Sequence, residues 1–228
     1  MQLNILKHRL KVLGPKHSLN LKYKKYFRKS SLKQKGIGDL FLGDVASHNP
    51  KIFLEIGVFH GVTARNVCEL LYKSHKNNFK YIGIDLFGVN AENAKETIPS
   101  TVFSNPFKRI YFNYIERQDP YSLESVTKLL KKFENNIQLI KGNSNYILKE
   151  VDMSKVEYVF LDGGHHYNTV KKDLNNCQKV IENNGVILCD DYDLSYAPGV
   201  RQAIEEFAAN NNYKIKILFD RFAKIIKS

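Results

Sequence analysis

Three acids and two histidines follow two short apolar runs. The first run, Val156-Glu-Tyr-Val-Phe-Leu161, delivers Asp162 and then Gly163-Gly-His-His-Tyr167. The second, Val186-Ile-Leu-Cys189, delivers Asp190 and Asp191. Runs this short and apolar suit strands buried on both faces. Neighbouring strands lie about 4.8 Å apart, so pairing these two gathers three carboxylates at their carboxyl ends. Side chains alternate along a strand, so Asp190 and Asp191 share one site only where the chain has already turned. Left alone, the carboxylates raise one another's pKa. A hard divalent cation relieves that conflict, and oxygen ligands suit Mg²⁺ held by Asp162, Asp190 and Asp191. His165 or His166 then stands three or four residues from Asp162 as a proton acceptor, since imidazole titrates near neutral pH. The competing reading is a set of caps and solvated loop residues, which fits a lone aspartate better than three at two strand ends.

A second cluster lies upstream. Residues 52–58 are apolar apart from Glu55 and stop at small residues, with Gly57 and Gly61 in the turn. Ala64, Val67, Cys68, Leu71 and Tyr72 then follow at the spacing of one helix face. Strand, glycine turn and helix start together form a place where a ligand approaches backbone N–H groups without a Cβ in the way. Phe59 lies inside that turn. Glu55 sits inside a buried strand, where an unpaired carboxylate is costly, so it faces a cation or N–H-rich partner. Glu55-x-Gly57-x-x-x-Gly61 is not the Gly-x-Gly-x-x-Gly of dinucleotide sites. A second strand, residues 81–85, ends on Asp85, an acceptor suited to ribose hydroxyls or else a simple cap. Residues 137–140 form a third strand, leading to Asn143 and Ser144 in a polar turn able to face a ligand base. Ser144 lacks the second glycine of a hydrolase nucleophile elbow.

The elements that must position these groups alternate strand and helix. Helical spacing returns over residues 122–134, 170–181 and 198–208. The last two strands, residues 213–219 and 221–226, are joined too tightly for a crossover helix and must run antiparallel. Residues 86–121 show no clean period and carry seven aromatics with Lys108, Arg109 and Arg117 among them, the composition of a substrate cover or a packing insertion. Residues 1–38 hold eleven Lys or Arg and no acid, while the remainder holds 24 basic against 23 acidic residues. The sequence therefore divides into a basic segment, 1–38, and a nearly neutral domain, 39–228, with residues 86–121 as an insertion. The basic segment is either a solvated arm or a contact for phosphates or an anionic surface. At 228 residues one domain suffices. No stretch is long and apolar enough to span a bilayer and no signal peptide is evident, so a cytoplasmic protein is expected. Cys68, Cys177 and Cys189 fall on apolar positions and read as reduced core residues.

Four motifs together carry a family likeness: Leu54-Glu-Ile-Gly-Val-Phe-His-Gly61, Gly83-Ile-Asp85, Asp162-Gly-Gly-His-His-Tyr167 and Gly185-Val-Ile-Leu-Cys-Asp-Asp191. From about residue 41 onward the chain resembles the class I S-adenosylmethionine-dependent methyltransferases, within the group of macrolide-sugar O-methyltransferases and cephalosporin-hydroxylase-like proteins. The resemblance implies an α/β fold: a Rossmann-like, doubly wound seven-stranded sheet of order 3-2-1-4-5-7-6 with the seventh strand antiparallel. It implies S-adenosylmethionine as cofactor, with Glu55, Gly57, Phe59 and Gly61 around its methionine part. Asp85 would meet the ribose, Asn143 and Ser144 the adenine, and Asp162 would border the cofactor. It further implies Mg²⁺ on Asp162, Asp190 and Asp191, and His165 as catalytic base beside Asp162. The expected acceptor is a small hydroxylated molecule such as a sugar or phenol, and a chelating diol would suit two open metal positions. Three alternatives stand beside it: an RNA-modifying enzyme guided by the basic segment, in which no RNA-stacking motif is evident, a cofactor-binding protein without catalysis, and a nicotinamide enzyme, which the missing Gly-x-Gly-x-x-Gly disfavours. Homo-oligomer formation is left open.

Overall fold

A computed structural model describes residues 22–88, 103–195 and 197–228. Residues 1–21 of the basic segment, residues 89–102 of the insertion and residue 196 lie outside the described residues. Seven strands form one sheet: β1 (Ile52–Ile56), β2 (Lys80–Asp85), β3 (Ile137–Lys141), β4 (Tyr158–Leu161), β5 (Val186–Cys189), β6 (Tyr213–Leu218) and β7 (Phe222–Lys227). Their spatial order is β3-β2-β1-β4-β5-β7-β6. The first five are parallel, and β7 runs antiparallel to both β5 and β6, as the tight final connection requires.

Among the described residues five helices of eight or more residues cover the sheet: α1 (Ile37–His48), α2 (Val62–His75), α3 (Leu123–Leu130), α4 (Tyr167–Glu182) and α5 (Pro198–Asn210). Strand alternation sends Phe53, Tyr81, Tyr158, Phe160, Leu188 and Phe222 into one core, against α1, α2 and α3. Leu54, Ile56, Val159, Leu161 and Ile187 enter the other, against α4 and α5. Parallel strands buried on both faces explain why the strand runs read as continuous apolar stretches.

No clean period marks α1 in the sequence. Its mixed residues, Gly38 and Gly43 among them, mask the period, yet packing on the sheet holds it. One ion pair adds to that packing: Lys224 Nζ lies 2.8 Å from Asp44 Oδ1, and the Tyr158 hydroxyl donates to Asp44 Oδ2 at 2.8 Å. The three cysteines are buried and unpaired, as expected. The irregular segment contains a short helix, Pro106–Ile110, that continues as a π-helical turn, Tyr111–Glu116. Phe107, Ile110, Tyr114 and Ile115 on it are exposed, so no buried stripe marked it in the sequence. Among the described residues no helix is long and apolar enough to cross a membrane.

Candidate active site

The parallel strands end together, and the site is built on that edge. β1 and β4 are paired neighbours, and the ladder continues past both, because the Asp162 N–H donates to Ile56 O at 2.8 Å and the Asp190 N–H to Leu161 O at 2.9 Å. Gly57 follows β1 at φ +93°, a conformation that favours glycine. A Cβ there would lie 2.0 Å from the carbonyl oxygen of Asp162. The glycine turn therefore lies against the backbone of Asp162, at the start of the loop that carries His165. Gly61, at φ +72°, precedes α2, whose first N–H groups face the turn.

Glu55 is buried beneath this turn. The Tyr81 hydroxyl donates to Glu55 Oε2 at 2.5 Å, while Oε1 has no partner among the described residues. Burial raises the Glu55 carboxyl from 4.5 to about 8; the Tyr81 hydrogen bond opposes the rise and the Asp85 charge adds to it. A buried acceptor with an unmatched oxygen, next to a turn that only glycine allows, fits the ammonium end of the methionine part of the cofactor. On the next strand, Asp85 accepts at Oδ2 from the Phe59 N–H (2.7 Å) and at Oδ1 from the Tyr121 hydroxyl (2.6 Å) and the Phe87 N–H (3.2 Å). Tyr121 belongs to the aromatic segment, and its hydroxyl meets the carboxylate expected to meet a ribose hydroxyl. Asn143 and Ser144 lie beside Asp85, since the Gly142 N–H donates to Asp85 O. Their side chains are committed to local structure. Asn143 caps the turn by accepting from the Asn145 N–H, and Ser144 Oγ donates to the buried Asp173 at 3.0 Å.

The carboxylates of Asp162, Asp190 and Asp191 each offer an oxygen within 4.8 Å of the others. β5 ends at Cys189 and Asp191 takes φ +60°, so the turn that both aspartates needed is present. Burial, then the charges of Asp190 and Asp191, push the Asp162 carboxyl well above the ordinary range; Ser31 and Arg221 oppose the rise. Burial likewise raises Asp190, against the pull of Arg221. His165 Nε2 lies 2.9 Å from Asp191 Oδ2. An accepting carboxylate at that distance favours a proton on Nε2 and orients the ring. His166 is instead the residue preceding α4, with its carbonyl accepting from the Thr169 and Val170 N–H groups.

Two residues that the sequence reading did not single out complete the trio. Arg221 Nε and Nη2 donate to the two oxygens of Asp190, both at 2.5 Å, and Nη2 lies 3.6 Å from Asp191 Oδ1. Ser31 Oγ donates to Asp162 Oδ2 at 2.7 Å. In residue type and spacing the trio suits a divalent cation. As arranged, however, both oxygens of Asp190 are engaged by a guanidinium, so the donor set does not fit Mg²⁺ until Arg221 leaves. The topology carried a signal for Arg221. An antiparallel β7 that pairs Ala223 with Cys189 begins where β5 ends.

Ser31 arrives on the basic segment, which packs against the domain over residues 22–33. The Tyr23 hydroxyl bonds Thr63 Oγ1 at 2.8 Å, and Arg28 donates to Pro120 O and to both Ser125 O and Oγ. The Lys29 N–H donates to His60 Nδ1 at 3.2 Å. His60 is fully buried, and desolvation, reinforced by Arg28, Lys29 and Lys108, lowers its imidazole to about 3. It is held neutral and ties the segment to the glycine turn.

Comparison with known proteins follows the same lines. A family model described as "Methyltransferase domain" matches residues 54–192. The chain belongs to that family, on the seven-stranded class I fold, and is an S-adenosylmethionine-dependent methyltransferase domain. Among solved structures it is similar to the O-methyltransferase NovP, at TM-score 0.61 and 15% identity over 85% of this chain and 81% of that one. It is similar also to a Podospora anserina methyltransferase bound to S-adenosylhomocysteine, at TM-score 0.54 and 17% identity over 89% and 80% of the two chains. An O-methyltransferase from Bacillus cereus in complex with S-adenosylhomocysteine matches at TM-score 0.57 and 12% identity over 99% and 90%. At these identities the likenesses speak for the fold. No curated protein matches the sequence.

Proposed function

We propose that the chain transfers a methyl group from S-adenosylmethionine to a hydroxyl of a small acceptor, with a sugar or phenol as the acceptor class. The observation that carries this reading is the crevice itself, where the Gly57 turn touches Asp162 and a carboxylate-held histidine stands on the next loop. Structural neighbours described as O-methyltransferases support the oxygen acceptor.

When bound, the cofactor supplies an electrophilic methyl on a sulfonium. Glu55 and the Gly57–Gly61 turn hold its methionine end, and Asp85 meets its ribose once Tyr121 yields the Oδ1 position. The turn of Asn143 and Ser144 borders the adenine, with Asn143 Oδ1 and the Ser144 hydroxyl already engaged locally. Alignment of a hydroxyl oxygen behind the methyl is the main contribution of the crevice walls. A hydroxyl is a weak nucleophile at neutral pH, so His165 would take the acceptor's proton. Asp191 holds the ring through Nε2 and stabilises the imidazolium that results. Asp162, whose carboxyl burial pushes up, stands between the Gly57 turn and His165. The Mg²⁺ assistance that the resemblance implies requires Asp190 to exchange Arg221 for the ion.

His165→Ala is the test. Turnover with a panel of sugars and phenols is expected to fall by about 10²-fold or more, while S-adenosylhomocysteine affinity stays within about threefold. A variant that methylates as fast as the parent removes His165 from the mechanism.

A further inference from the structure

The aspartate trio already has a cation. Arg221 directly precedes β7, whose antiparallel pairing with β5 sets its backbone beside the trio, and the Tyr192 N–H donates to Arg221 O at 3.0 Å. The guanidinium forks onto both oxygens of Asp190 at 2.5 Å each and approaches Asp191 at 3.6 Å. Its third nitrogen, Nη1, donates to Ser31 O at 3.4 Å, on the segment whose hydroxyl holds Asp162. Arg221's side chain is 12% exposed and that of Asp190 fully covered. A planar fork matches a carboxylate in a way that a point charge does not, and arginine keeps its charge at any working pH.

We propose that Arg221 is the resident cation of the Asp162–Asp190–Asp191 trio, a positioning residue standing where a divalent metal would bind, so that methyl transfer by this chain needs no metal. The inference rests on the methyl-transfer reading given above. The chemistry follows from the charges. A guanidinium offsets one negative charge and holds the trio together, but it offers no open coordination position to an acceptor oxygen. Deprotonation of the acceptor therefore falls to His165, and the site does not select a chelating pair of oxygens. An acceptor with one hydroxyl suffices.

The experiment uses the full chain after chelator treatment, with Mn²⁺ as the probe, read by the loss of the free-ion electron paramagnetic resonance signal. Calorimetry with S-adenosylhomocysteine runs in parallel on every sample. The parent is expected to leave the Mn²⁺ signal unchanged. Arg221→Ala is expected to gain at least about tenfold in Mn²⁺ affinity, because an opposing charge has left the carboxylates. Asp190→Asn in that background should abolish the gain, and Arg221→Lys, which keeps the charge, should still exclude the ion. A merely structural role for Arg221 would give no such gain. Mn²⁺ uptake by the parent overturns the proposal, and so does an Arg221→Ala protein that binds S-adenosylhomocysteine yet takes up no Mn²⁺. Should Arg221→Ala not fold, the parent and Arg221→Lys arms decide alone, since uptake by either overturns it. Absence of S-adenosylhomocysteine binding in the parent overturns instead the methyl-transfer reading beneath it.

Discussion

Binding of the cofactor should expel a proton, and Glu55 is the reason. Burial holds its carboxyl at about 8, so at pH 7 the ligand-free protein keeps it mostly neutral. Its Oε1 is buried without a partner among the described residues. An ammonium brought against that oxygen favours the carboxylate, and the proton leaves. At pH 7, one unit below the raised value, ionising Glu55 costs about 1.4 kcal/mol of the binding energy. Affinity should thus rise by up to about tenfold per pH unit from about pH 6 to pH 8 and then level off. Calorimetry with S-adenosylhomocysteine in buffers of different ionisation enthalpy measures the proton count directly, and about one proton released at pH 7 is expected. Glu55→Gln should bind more weakly, release no proton and show no slope over that range. The sign for stability follows from the same group. Its folded value lies above the ordinary 4.5, so the ligand-free fold holds the proton longer and loses stability as pH rises from 4.5 towards about 8. Glu55→Gln should flatten that decline in melting temperature. A parent that binds with no proton release and a pH-independent affinity refutes the reasoning.

Two further expectations concern the frame around the site. Asp44→Ala leaves Lys224 and the Tyr158 hydroxyl buried without their shared acceptor, and denaturant unfolding should register a loss of about 3–5 kcal/mol; a loss under about 1 kcal/mol would show that the pair is solvated in the folded state. Gly57→Ala drives a Cβ to 2.0 Å from Asp162 O at a φ of +93°, so the turn must move. Thermal melts should show lost stability together with lost S-adenosylhomocysteine binding, whereas an unaltered variant would mean that the glycine turn is not set against Asp162.

The strand edge was legible because buried parallel strands leave apolar runs that end abruptly on polar residues. Asp85, Asp162 and Asp190 each follow such a run, and the structure sets all three on one edge. The final antiparallel pair was legible from its short connection alone. Arg221 was not, since one arginine in a hairpin carries no period, and only the pairing of β7 with β5 gives it a partner. Ser31 was hidden by the charge of its segment, which draws the eye to phosphates while a neutral hydroxyl makes the contact with Asp162. Asn143 and Ser144 follow β3 beside Asp85, and Asn143 Oδ1 is engaged by the Asn145 N–H and the Ser144 hydroxyl by Asp173, contacts that the sequence pattern does not carry. The three acids were legible as a cluster, whereas the guanidinium that folds onto Asp190 was not.

A crystal structure with S-adenosylhomocysteine bears most directly on the shared crevice. The amino-acid end should lie on Glu55 and the Gly57 turn, the ribose on Asp85, and the sulfur should face His165 across the edge of β4. A ligand whose sulfur opens away from Asp162 and His165, or whose ribose misses Asp85, would contradict the account.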